Sequence, residues 1–73
     1  MIEYVVLIEP ADDDSGFGAY VPDLPGCVAT GRTPEEARER IAYSIPLHLA
    51  SLREHGESVP APRVVVDRVS VAA

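Results

Sequence analysis

Lysine, asparagine, glutamine and tryptophan are missing from the 73 residues, and cysteine, methionine and phenylalanine occur once each. With Cys27 alone, no intramolecular disulfide can form and no cysteine-rich zinc cage can be built. The longest unbroken apolar stretch runs only from Tyr4 to Ile8, far short of the roughly 18 residues that a membrane span needs, so no membrane partner is expected. Met1-Ile2-Glu3-Tyr4 carries neither a basic n-region nor a cleavage pattern, which predicts a cytoplasmic address. Basic charge is scarce: six arginines stand against twelve acids, giving −6 at pH 7, and the arginines are scattered from Arg32 to Arg68. Phosphate backbones would repel such a chain and a basic partner would attract it, so no direct nucleic-acid binding is expected.

The composition that remains, 47% apolar and 25% charged, is that of one soluble domain spanning residues 1–73. A chain this short buries only about 60% of its unfolded surface, so its core is marginal. A homo-oligomer, dimer or tetramer, is the expected remedy.

Ile2 to Glu9 is rich in β-formers and alternates, with Ile2, Tyr4, Val6 and Ile8 on one face. Val5 and Leu7 make the other face partly apolar as well, which suits a strand covered by a helix on one side and a second subunit on the other. Pro10 ends it, and Asp12-Asp13-Asp14-Ser15-Gly16 reads as a hairpin turn. Phe17 to Val21 is the return strand. Pro22 stops it, Pro25-Gly26 fits the centre of a type II turn, and Cys27 to Thr30 is a third strand.

Thr33-Pro34-Glu35-Glu36 then signals a helix start: Thr33 as N-cap, Pro34 at the first helical position, and Glu36 closing a capping box. Ala37, Ile41, Ile45, Leu49 and Leu52 form a stripe that can lie on the sheet. Glu36 and Arg40 are an i,i+4 pair, Pro46 predicts a bend near residues 42–46, and Gly56 is the natural stop. Pro60-Ala61-Pro62 is a stiff connector to a last strand, Arg63 to Val69. The fold class is therefore α+β with βββαβ order. A right-handed crossover places strand four beside and parallel to strand one, in the order 3-2-1-4.

Candidate chemistry is thin. Asp12, Asp14 and Asp23 fall at the first, third and twelfth places of an EF-hand loop, but Phe17 occupies the position that needs glycine, and no helix precedes it. A solvated turn is the simpler account. His48 and His55 stand two helical turns apart and make no metal site with a single cysteine; a surface histidine and a partner for the helix C-terminus are the plainer roles. Cys27 follows Gly26 at a turn without a neighbouring base, so it reads as a small half-buried strand residue. No catalytic residue, cofactor or metal is expected. A metal-dependent hydrolase would need at least three of Glu3, Glu9, Asp12, Asp13, Asp14 and Asp23 to converge.

The stretch from Pro22 to Ala37, PDLPGCVATGRTPEEA, closely resembles the signature of the HicB-like antitoxin family. Its fold-bearing residues here are Pro22, Asp23, Leu24, Pro25, Gly26, Cys27, Gly31, Thr33, Glu36 and Ala37. Tyr4 in the first strand, the acidic turn before Phe17 and the Val59-Pro60-Ala61-Pro62 segment extend the likeness over nearly the whole chain. The resemblance implies an incomplete ribonuclease H-like fold and a role as antidote to a HicA-type toxin that cleaves messenger RNA. Many relatives carry a C-terminal helix-turn-helix or ribbon-helix-helix segment that is not seen in this sequence, so operator binding is not expected. Asp12, Asp13 and Asp14 are the expected toxin contacts, since a toxin that grips RNA must present basic surface. The rival expectation is a stand-alone interaction domain that pairs through edge strands, with Val64, Val65, Val66, Val69 and Val71 as its apolar edge.

Overall fold

In the computed structural model, which describes residues 1–73, three strands are followed by one helix. Strand β1 is Leu7–Pro10, β2 is Phe17–Tyr20, β3 is Val28–Gly31 and the helix α1 is Pro34–Glu54. The sheet is an antiparallel meander in the order β1-β2-β3, with Leu7 opposite Tyr20 and Tyr20 opposite Val28. Both reversals follow the expected chemistry. In the first, Asp14 and Gly16 take positive φ of 58° and 132°. In the second, the Leu24 carbonyl accepts from Cys27 N–H at 3.0 Å and Gly26 has φ 85°, as a type II turn requires.

The helix starts where its caps place it. Thr33 Oγ1 accepts from Glu36 N–H at 3.1 Å. The Glu36 carboxylate reaches back one residue further than a capping box, accepting from Arg32 N–H at 3.1 Å. At the other end, Gly56 N–H donates to Arg53 and Glu57 N–H to Leu52, a Schellman closure with Gly56 at φ 71°. The helix continues through Pro46, and Ser44 Oγ donates to the Arg40 carbonyl at 3.0 Å just before it.

Period-two alternation sorts the sheet into two faces. Ala19 is buried facing α1, with Val6, Ile8, Phe17 and Ala29 packed against the same core. Val21, Leu24, Cys27, Ala37 and Ile41 complete it, and Ile45, Leu49 and Leu52 flank it from the helix stripe. On the opposite face Leu7, Tyr20 and Val28 form a cross-strand row that no element of the chain covers.

Two expectations are corrected. The first strand, expected over residues 2–9, begins at Leu7, because β2 ends at Tyr20 and its chain turns away at Pro22, leaving residues 2–6 nothing to pair with on that side. Residues 63–69, expected as a fourth strand parallel to the first, form no strand in this chain. Their backbone meets no ladder: the Arg63 and Val64 N–H groups are held at 3.0 and 3.1 Å by Asp23 Oδ2, and residues 61–73 are all exposed. The smaller shift of β3 by one residue, to Val28–Gly31, follows from Cys27 closing the turn.

Candidate functional site

The β1–β2 turn projects its charge because its backbone is satisfied internally. Ala11 N–H donates to the Gly16 carbonyl at 2.9 Å and Asp14 N–H to Ala11 at 3.2 Å. Ser15 N–H donates to Asp13 Oδ1 at 3.1 Å. Hydrogen bonds from Ser15, first from its side chain and then from its backbone, hold the Asp13 carboxyl below the ordinary range, so it stays ionised. Asp12, Asp13 and Asp14 are all exposed, which makes the turn an anionic tip.

Beside that tip lies an open groove of about 610 Å³, lined in part by Glu9, Asp12, Ser15, Arg32, Glu36 and Arg40. Its basic charge is partly spent within the fold: Arg40 pairs with Glu36 at 3.2 Å and donates to the Thr30 carbonyl at 3.1 Å. The acids singled out for metal chemistry do not come together, and no three His, Cys, Asp or Glu side chains are placed to share an ion.

The Pro22–Ala37 stretch is distributed between core and turns. Leu24 and Cys27 are core, at 1% and 3% exposure, and the turn around them is closed by Val21 N–H donating to the Cys27 carbonyl at 3.2 Å. Burial pushes the Cys27 thiol up, which favours its protonated form. His48 of α1 lines the same shallow surface groove as Cys27, a proximity that chain order hides. His55 is elsewhere, with Nδ1 2.7 Å from the Ser51 carbonyl at the helix C-terminus. Gly31 meets Ala37 so closely that an added Cβ would sit 2.4 Å from Ala37 N.

Asp23 has a role that sequence reasoning missed. Its carboxylate anchors the chain 40 residues later, and Tyr4 Oη donates to the Pro60 carbonyl at the same end of the sheet. Asp-Leu-Pro-Gly has so complete a local explanation as a turn that nothing in it signals a distant partner.

With this geometry in place, comparison with known proteins gives one consistent answer. A family model described as the HicB_like antitoxin of bacterial toxin-antitoxin systems matches residues 4–71. A UPF0150 protein of Thermoplasma acidophilum is 37% identical over 59 residues, covering 81% of this chain and 84% of the relative. A UPF0150 protein of Synechocystis is 37% identical over 68 residues, covering 93% and 85%. An uncharacterised 14.9 kDa protein of Haemophilus phage HP1 is 35% identical over 57 residues, 78% of this chain but 41% of the phage protein.

Proposed function

Since the chain belongs to the HicB-like antitoxin family of bacterial toxin–antitoxin systems, we propose that it binds a small basic toxin of the HicA type and occludes its RNA-cleaving site. The observation that carries the reading is the family match over residues 4–71, joined to a net charge of −6 that would steer the protein to an RNA-binding surface. Asp12, Asp13 and Asp14 are the proposed first contacts, being exposed on an internally braced turn with Asp13 held ionised. The protein acts by shielding and performs no catalysis, a reading that rests on the antitoxin family. The antiparallel meander followed by a helix supports descent from a ribonuclease H-like sheet. The proposed setting is the cytoplasm, where the toxin is made, without direct contact to nucleic acid or membrane. No helix here is long and apolar enough to cross a bilayer.

Co-expression with the product of a small basic gene beside its own tests the proposal. A stable complex and rescue of growth are expected; neither complex nor rescue overturns it. A stand-alone interaction domain is the second reading, favoured by the exposed valines of residues 64–71.

A further inference from the structure

We propose that the groove between the outer edge of β3 and α1 receives an arginine side chain carried on a strand of the basic partner, held by the Glu39 carboxylate and the Tyr43 ring. The identity of that partner rests on the toxin reading above; the pocket itself rests on the side chains that build it.

Strand β3 pairs with β2 on one side and has no strand on the other. Alternation settles which of its backbone groups face outward. Val21 N–H donates to the Cys27 carbonyl, so residues 27, 29 and 31 turn toward β2, and Val28 and Thr30 turn away from it. The Thr30 carbonyl accepts from Arg40 Nη1 at 3.1 Å, as an outward-facing group can. The N–H and carbonyl of Val28 and the N–H of Thr30 are left to pair with an added strand.

Beside this edge lies an open groove of about 410 Å³, lined in part by Val28, Thr30, Glu39, Arg40, Tyr43 and Ser44. Glu39 and Tyr43 stand four residues apart, one above the other on α1. Both are exposed, Tyr43 at 73%, so a large ring stands in water beside a carboxylate. Glu39 makes no ion pair within the chain, whereas Arg40, the one cation of the groove, is matched by Glu36 at 3.2 Å and by the Thr30 carbonyl. The charge left unmatched in the groove is therefore negative. Ser44 Oγ donates its proton to the Arg40 carbonyl at 3.0 Å and has only lone pairs to offer a ligand.

A carboxylate, a hydroxyl oxygen whose proton is already used and the face of an aromatic ring all select a cation with several N–H donors. A guanidinium supplies the donors in a planar fork and a flat face to lay on the ring. Strand geometry delivers it: every second side chain of a strand added to β3 falls on the α1 side of the sheet, over the groove. Thr30 and Arg40 also line the groove beside the Asp12–Asp14 turn, so the pocket opens from the anionic surface that draws a basic partner in.

The test uses a capped pentapeptide, TVRVT, and the same peptide with citrulline in place of arginine, each titrated to millimolar concentration into isotope-labelled protein followed by amide NMR. The arginine peptide should shift the signals of Val28, Thr30, Glu39, Tyr43 and Ser44. It should bind about tenfold more tightly than the citrulline peptide, which keeps the shape and loses the charge. Glu39→Gln should remove most of that preference, and Tyr43→Ala should weaken binding about threefold. Glu54→Gln, further along the same helix, should change neither. All three positions are exposed, so circular dichroism should keep the signal of α1. Absence of shifts along β3, equal binding of the two peptides, or a Glu54→Gln effect as large as that of Glu39→Gln overturns the pocket, whatever the toxin does. The product of the neighbouring basic gene is then measured against the same variants. Failure of the unaltered protein to bind it defeats the toxin reading and leaves the peptide result standing. Binding that Glu39→Gln and Tyr43→Ala both leave unchanged overturns the assignment of the toxin's strand to this pocket.

Discussion

At Gly31 an added methyl group would stand 2.4 Å from Ala37 N and 2.9 Å from Ala37 Cα, both backbone atoms that cannot swing aside. Gly31→Ala must therefore push α1 away from β3, and overpacking of that kind costs about 1–3 kcal/mol. A urea titration should show the midpoint lowered with the slope unchanged. Cys27 makes the opposite case, a group whose chemistry is suppressed by its surroundings. Its thiol is 3% exposed and burial raises its pKa, so iodoacetamide should label it only as fast as the domain opens, and urea should release the reaction. The sequence marks both residues, Gly31 as part of the family-like signature and Cys27 through the turn before it. That a carboxylate at Asp23 would hold Arg63 and Val64 was not legible, because an anchor across 40 residues leaves no local pattern.

The helix is the element whose limits the residues declare. Thr33 Oγ1 satisfies Glu36 N–H, Glu36 in turn satisfies Arg32 N–H, and Gly56 turns the chain left-handed at the far end. Thr33→Ala removes the first of these bonds and should cost about 1 kcal/mol of stability. The loss should be measurable by thermal melting as a few degrees in a domain of this size. Strands are less self-sufficient. β-forming sequence runs from Ile2, but the ladder begins only at Leu7, since a strand needs a neighbour as well as a propensity. The same reasoning accounts for residues 63–69: their composition is that of a strand, and within one chain no neighbour meets them.

For the whole molecule, the decisive quantities are charge and unburied surface. A chain of net charge −6 with an acidic tip should meet a basic toxin quickly at low ionic strength and more slowly as salt screens it. Replacing Asp12, Asp13 and Asp14 with asparagine should lower the association rate on a toxin-coated surface by about tenfold at low salt and flatten its salt dependence. An asparagine at position 13 keeps an Oδ1 to accept from Ser15 N–H, and the other turn bonds are backbone to backbone, so the fold should survive. An association rate unchanged by the triple substitution would place the toxin contact elsewhere on the molecule. Unburied surface is the other quantity: only seven of 73 residues are buried, a small core for a chain of this length.

The meander, the helix and its caps, the core stripe and the family signature could all be read along the chain, because turn chemistry, capping and alternation act over a few residues. Tertiary structure alone decided where the first strand begins, what Asp23 grips, and that the valine-rich tail finds no place in its own sheet. Those outcomes depend on which backbones meet in space, and proximity between distant segments is not written in the order of either one.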